Sequence, residues 1–297
     1  MRELLGDATS SDVHVYTRKY EDVDDIHSSS FVLALNLVRN LQRLNFEVPD
    51  GMCGRRQCVT FIANMRHLRE LEILEPDEET SAWSFDDMHQ CLANCSQLRI
   101  VALLGLSGNA SPSVYKPASI LPALKSLHIQ SYCHDMNDSG LRRFLRSLKS
   151  SPTEIRIDGL PLVSAQGYIS ALLSMNTAHI AKLCIEFEGH DEQETGELNN
   201  QDWLLQFPSL VELTLSGALC RWPVLKHMPP KVGSISLVSP QGLAQELFIV
   251  MLKRWCSKYN GQKRLFAMDI QPKHADIEVS QFLSDHAHHL KSCTAIL

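Results

Sequence analysis

A short apolar pattern returns along this chain at nearly constant intervals, and that spacing constrains the fold more than any other feature. The pattern reads apolar, two residues, apolar, one residue, apolar, as in Leu68-Arg-Glu-Leu71-Glu-Ile73. Nine copies occur, with middle residues 22 to 33 positions apart and 28 on average. A chain with 42 leucines among 297 residues produces such patterns by chance, but not at even spacing. We therefore predict a repeat array rather than the two unrelated domains that the length alone suggests. We call the middle residues anchors: Leu44, Leu71, Val101, Leu127, Ile155, Leu183, Leu213, Ile235 and Met268.

Each repeat is predicted to contain one strand and one helix. The last two apolar residues of a copy are two positions apart, so they share one face of a strand. The segments between copies have helical spacing of apolar residues; they are 84–95, 137–148, 164–175, 241–259 and 279–290. One unit cannot bury its apolar face alone, so successive units must stack, with parallel strands side by side. Helices are wider than strands, so the predicted fold is a curved α/β solenoid with the sheet on its concave side and the helices on its convex side.

The repeat resembles that of the leucine-rich repeat family. Nine copies of L-x-x-L-x-L cover residues 41–270, and weaker copies at 13–15 and 290–293 extend the array. Regular members carry Asn or Cys five residues after the anchor, and none of the nine copies does, which predicts irregular turns. The phrases FPSLVELTLSG and LPALKSLHIQS resemble the substrate-binding arrays of fungal F-box proteins. That resemblance implies a ubiquitin-ligase subunit that holds the protein to be ubiquitinated and contacts a ligase adaptor, although no F-box pattern is evident. We expect residues 1–40 to cap the array and residues 41–297 to form one continuous solenoid of about nine to eleven repeats.

Charge and composition narrow the function classes. The net charge is −6 and the pI is near 6.1, which argues against a protein that coats nucleic acid. No apolar run approaches the roughly 18 residues that span a bilayer, and the first residues lack a secretory signal pattern. The nine cysteines show no disulfide framework, so they are predicted to be reduced thiols. We expect a cytoplasmic or nuclear protein that uses no cofactor and binds neither membrane nor nucleic acid.

The predicted concave face is acidic. Positions one before, one after and three after each anchor carry three basic and eight acidic residues, a local net charge of −5. Such a surface would steer a protein partner with a basic surface, although charged residues are also common on any solvated sheet face. Ile100, Ala102 and Leu104 form a small apolar stretch within it, which is either a binding hot spot or covered by the segment 105–119. The predicted partner-binding residues are Arg43, Glu70, Glu72, Ile100, Leu104, His128, Glu154, Arg156, Lys182, Glu186, Glu212 and Asp269.

Patterns that would carry catalysis are weak by comparison. A histidine-rich tail at residues 274–289 lacks the second ligand cluster of a zinc site. Cys184 and His128 could form a nucleophile and base pair, but strands two apart place them roughly 10 Å from each other. We therefore predict a non-enzymatic protein-binding scaffold without catalytic or metal residues. The alternatives are the ubiquitin-ligase subunit and, from another class, a metal-dependent or thiol-dependent hydrolase.

Overall fold

The fold is an open parallel sheet that follows the order of the sequence. The computed structural model describes residues 12–15, 41–47, 60, 62–74, 91–104, 121–130, 136–187, 202–220, 227–238, 264–269 and 290–296. Within these residues eleven strands form one sheet, in the order β1 to β11, and every neighbouring pair is parallel. The strands are β1 (Asp12–Val15), β2 (Arg43–Glu47), β3 (Glu70–Leu74), β4 (Ile100–Leu104), β5 (Ser126–Gln130), β6 (Glu154–Asp158), β7 (Lys182–Glu186), β8 (Glu212–Ser216), β9 (Ser234–Val238), β10 (Arg264–Asp269) and β11 (Leu290–Ile296). The predicted α/β class with a parallel sheet is confirmed.

Eight of the nine predicted anchors, Leu44 to Ile235, are in register across the sheet, whereas Met268 lies two positions beyond that row. Leu71 pairs with Leu44 on one side and with Val101 on the other, and Val101 in turn pairs with Leu127. The same alignment continues from β5 to β10, where the residue beside Ile235 is Phe266 rather than the anchor Met268. The two weaker copies of the pattern supply the edge strands β1 and β11. The apolar pattern within each copy therefore keeps one buried row of side chains continuous from strand to strand, even where the interval between copies changes.

Burial alternates along β3, β4, β5, β7 and β9, as the sequence pattern predicts, whereas β6 and β8 each end in two consecutive buried residues. In β5 the side chains of Leu127 and Ile129 are fully buried, whereas those of Ser126, His128 and Gln130 are partly exposed. Burying a leucine or isoleucine side chain contributes roughly 1.5 to 3 kcal/mol to folding, and the anchor position repeats this gain in every unit. One face of the sheet thus joins the core, and we call the other the open face.

Helices cover the core side of the sheet between some of the strands. α1 (Asp138–Ser147) and α2 (Ala165–Leu172) bury side chains such as Leu141, Phe144 and Ile169 in the same core as the anchors. They agree with the predicted helices 137–148 and 164–175. Of the predicted helix 84–95, the described residues 91–93 are helical, and the predicted helices 241–259 and 279–290 lie outside the described residues. Short 3-10 helices occupy Trp203–Gln206 and Gly217–Cys220. None of the helices in the described ranges is long and apolar enough to cross a bilayer.

The amino-terminal ends of α1 and α2 are joined through one carboxylate. Asn137 caps α1 by accepting a hydrogen bond from the backbone N–H of Gly140, and Ser164 caps α2 in the same way at Gly167. Asp138 then accepts hydrogen bonds from the backbone N–H and the hydroxyl of Ser164, both at 2.7 Å. Its negative charge lies near the positive end of α2, so the interaction also favours the helix dipole. The contact fixes how the two helices lie against each other.

Hydroxyl groups connect consecutive repeats where the chain returns to each strand. Thr153 donates to the carbonyl of Lys125, Thr177 to that of Gln206, and Ser209 to that of Ala178, at 2.6 to 3.0 Å. These bonds satisfy main-chain carbonyls across neighbouring repeats. After β6, the position five residues beyond the anchor is Leu160 rather than Asn or Cys. The backbone N–H of Leu160 donates to the Tyr168 hydroxyl at 3.3 Å. Other turns after the strands lie largely outside the described residues.

Candidate functional site

The open face aligns the predicted binding residues in three rows that cross the sheet. The first row contains Arg43, Glu70, Ile100, Ser126, Glu154, Lys182 and Glu212 in register. The second row contains Asn45, Glu72, Ala102, His128, Arg156, Cys184 and Thr214. The third row contains Leu74, Leu104, Gln130, Asp158 and Glu186. Parallel register brings these residues together because each strand repeats the same alternation at the same height. Asp269 lies in β10, and its side chain is outside the described part.

Ion pairs between neighbouring strands neutralise part of the acidic charge. Arg43 pairs with Glu70 and Lys182 pairs with Glu212, each at 3.0 Å. The hydrogen bond and charge of Glu212 raise the pKa of Lys182, and the charge of Glu154 raises it further. These side chains are largely exposed, so each pair contributes little to stability. Their effect is to set where negative charge remains.

The remaining negative charge is concentrated at a few positions. The described side chains of the open face include three basic residues (Arg43, Arg156 and Lys182) and six acidic residues, so their net charge is −3. The six acidic residues are Glu70, Glu72, Glu154, Asp158, Glu186 and Glu212. Glu72 accepts a hydrogen bond from the Asn45 amide at 2.8 Å, and no ion pair of the described residues involves it. Glu154 is exposed. A positively charged partner would find these two carboxylates more available than those held by arginine or lysine.

A buried carboxylate organises the centre of the sheet. The Asp158 side chain is only 6% exposed, yet its Oδ2 contacts His128 Nε2 at 3.0 Å and Arg156 Nε at 2.5 Å. The second guanidinium nitrogen of Arg156 reaches Glu186 at 3.1 Å. The hydrogen bond to Asp158 is the main reason that the pKa of Arg156 is raised. Asp158 was counted among the acidic face residues from the sequence but not singled out, since only the cross-strand register shows that His128 and Arg156 meet at it.

Cys184 lies beside this cluster as a neutral thiol. Burial raises its pKa to about 12, and the negative charge of Asp158 acts in the same direction. Donor atoms of Asp158, Cys184 and Glu186 lie within 4.8 Å of one another, which is a plausible size for a metal site. Arg156 already bonds both carboxylates, so a metal ion would have to displace a guanidinium. The histidines of the tail lie outside the described residues.

An apolar patch interrupts the polar rows on β3 and β4. It consists of Leu74, Ile100, Ala102 and Leu104. Ile100 is 42% exposed and Leu74 is 39% exposed, which is unusual for large aliphatic side chains in a sheet whose other face is buried. Leu74 and Leu104 are register partners, and Ile100 lies directly beside Glu70. The sequence pattern also places Leu74 on this face, three positions after its anchor, but did not group it with the three apolar residues of β4.

Comparisons with known proteins give little beyond this description. No protein-family model matches the chain, and no curated protein matches its sequence. One similar solved structure is that of the Rad7 and Elc1 complex in yeast, at 15% sequence identity and a TM-score of 0.46. The match covers 91% of this chain and 71% of that one. At this identity and TM-score, the likeness supports no statement about function.

Proposed function

We propose that this protein is a non-enzymatic scaffold that binds a protein partner on the open face of its sheet. We further propose that the sheet is the concave side of a curved solenoid of the leucine-rich repeat type, located in the cytoplasm or nucleus. The parallel order of the strands supports the proposal, because it presents one continuous row of side chains per strand position. An array of this kind offers a broad surface whose chemistry is set independently of the buried anchors.

The exposed apolar patch is the observation that carries the proposal. Leu74 and Ile100 leave aliphatic surface in water between rows of charged side chains, at a cost that burial under a partner would recover. Protein interfaces concentrate their affinity in such a centre and surround it with polar groups. The acidic residues Glu70 and Glu72 border the patch in the same strand as Leu74.

The charge around the patch indicates the chemistry of the partner. Glu72 and Glu154 form no ion pair within the described open face, although Lys182 lies beside Glu154 on the next strand. A partner segment with an apolar side chain flanked by lysine or arginine would fill the patch and pair with these carboxylates. In the central cluster His128 and Arg156 hold Asp158 Oδ2, whereas Asp158 Oδ1 is buried without a hydrogen-bond partner. Because both cationic groups are already engaged by this carboxylate, we assign the cluster to holding the face in shape rather than to binding.

A narrower form of the proposal follows from the resemblance to F-box protein arrays. In that form, the protein is the substrate-recognition subunit of a ubiquitin ligase and contacts a ligase adaptor. Co-purification with the adaptor from the native source would support it, and recovery of the partner without any adaptor would count against it. A thiol hydrolase receives no support from Cys184, because a nucleophilic cysteine needs a lowered pKa and this one is raised to about 12.

The test compares two pairs of exposed aliphatic residues, one pair in the patch and one pair outside it. Leu74→Ser with Ile100→Ser removes the apolar patch, whereas Leu162→Ser with Leu205→Ser removes similarly exposed apolar surface outside the open face. Each tagged variant is incubated with extract from the native source, and captured proteins are quantified by mass spectrometry. We expect a protein that wild type and control retain and that the patch variant loses, with affinity lowered about 30-fold if the patch is a hot spot. If every protein retained by the wild type is retained equally by the patch variant, the open face is not the binding surface.

A further inference from the structure

A second surface lies on the helical side of the molecule, in the groove between α1 and α2. The groove encloses about 510 Å³ and is lined by one side of α1 and the first turns of α2. Arg142, Arg143 and Arg146 form one wall, and Gln166 and Ser170 form the other. Spacings of three and four residues place side chains on the same side of a helix, so the guanidinium groups of Arg142, Arg143 and Arg146 point into a shared space.

These arginines have no acidic partner among the described residues. Arg143 Nε donates to the carbonyl of Ser139 at 3.3 Å, and within the described ranges no carboxylate forms an ion pair with Arg142, Arg143 or Arg146. The one acidic residue in the lining, Asp138, is already bonded twice to Ser164. Positive charge therefore accumulates here on a protein whose net charge is −6.

The two helices that form the groove are joined by a contact between their amino-terminal turns. Asp138 joins the amino-terminal turns of the two helices, and at Gly167 there is no room for a larger residue beside that carboxylate. The Gln166 amide lies on the groove wall with its nitrogen donating to Ser170 at 3.3 Å and its oxygen without a hydrogen-bond partner. A preformed groove lowers the ordering cost that a ligand must overcome.

We propose that this groove binds an acidic segment of another protein. The stretch from Asp138 to Arg146 rises about 12 Å along the helix, which matches about four residues of extended chain. A peptide can place several carboxylates along the groove and so reach both Arg142 and Arg146, whereas a single bare phosphate spans only part of that length. Long polyanions such as nucleic acid would also meet the repulsion of the acidic remainder of the molecule. The site is distinct from the open face, so the two proposals succeed or fail separately.

The experiment measures fluorescence anisotropy of a labelled peptide of about eight glutamates, roughly twice the length of the groove. We expect binding to wild type that weakens as salt rises. Arg142→Glu with Arg146→Glu is expected to lower the affinity at least about tenfold, and the milder Arg142→Gln with Arg146→Gln should lower it in the same direction. Arg69→Glu with Arg99→Glu is the matched control, because it makes the same charge change at two exposed arginines outside the groove.

Each alternative outcome is decisive. Equal loss in the groove and control variants would show that only overall charge matters, and would overturn the proposal. So would displacement of the peptide by low millimolar inorganic phosphate, which would reveal a simple anion site. Tighter groove-dependent binding of a single-stranded oligonucleotide of the same charge would overturn it in favour of nucleic acid. Circular dichroism of each variant confirms that the fold is retained.

Discussion

Gly167 lies where the first turn of α2 meets the carboxylate of Asp138. A Cβ atom added to Gly167 would come within 2.0 Å of Asp138 Oδ1 and 2.3 Å of its Cγ, far closer than two such atoms can approach. The nearest three atoms to that Cβ all belong to the Asp138 side chain. Gly167→Ala must therefore push the carboxylate away from Ser164.

The size of the effect follows from what the carboxylate holds. It accepts two hydrogen bonds from Ser164 at 2.7 Å, and bonds to a charged group contribute about 1.5 to 3 kcal/mol each, with the lower end fitting this partly exposed site. Loss of both costs about 3 kcal/mol. Replacing a helical glycine by alanine returns about 1 kcal/mol through backbone entropy. We expect Gly167→Ala to lower the free energy of unfolding by about 2 kcal/mol.

The effect of Gly167→Ala on the free energy of unfolding should change sign when the Asp138 carboxylate is absent. In an Asp138→Ala background the three closest atoms are gone and only the gain in helix propensity remains, so Gly167→Ala should stabilise by about 0.5 to 1 kcal/mol. Urea unfolding of the four proteins, followed by circular dichroism and by tryptophan fluorescence, gives the coupling energy. Coincident transitions from the two probes check that unfolding is two-state. An equal cost for Gly167→Ala in both backgrounds would refute the reasoning, because the clash would then not be with Asp138.

Three further predictions concern the core and the thiols. Leu127→Ala, at a fully buried anchor, should cost about 2 to 5 kcal/mol in urea unfolding, whereas Ile100→Ala on the open face should cost less than about 1 kcal/mol; similar costs would contradict the assignment of faces. The pKa of Cys184 is raised to about 12, so at pH 8 native Cys184 should react with iodoacetamide on the order of 1,000-fold more slowly than in urea, as measured by peptide mass spectrometry. The pKa values of Cys95 and Cys220 are also raised to about 12, so the unfolded chain loses thiol protons first and stability should fall between about pH 9 and 12. A native labelling rate equal to the denatured rate would show that Cys184 is an accessible thiolate.

The repeat pattern determines most of what the sequence could predict. The anchors Leu71, Leu127 and Leu213 lie in one buried row because apolar spacing specifies both the strand face and the register. The same spacing placed Glu70, Ile100 and Glu212 on the open face. It did not identify the burial of Asp158, which depends on cover from side chains in neighbouring strands.

The repeat pattern could not predict contacts between specific side chains, and the reason is physical. The Asp138 and Ser164 contact joins residues 26 positions apart through caps of two different helices, and neither cap alone requires the other. The groove with its arginines exists only once that contact sets the spacing of α1 and α2. The exposure of Leu74 was not predicted, because the alternation assigns a face to a residue but does not say how much of that face its neighbours cover.

The hydroxyl bonds between repeats have a consequence for how such a chain tolerates change. Each hydroxyl, as in Thr153 and Ser209, bonds a main-chain carbonyl, and every residue type provides that carbonyl. The residue that supplies the accepting carbonyl can therefore be replaced by another residue type while successive repeats stay aligned. A molecule assembled in this way can diverge almost beyond recognition and still preserve its shape, provided that a serine or threonine remains on the donating side.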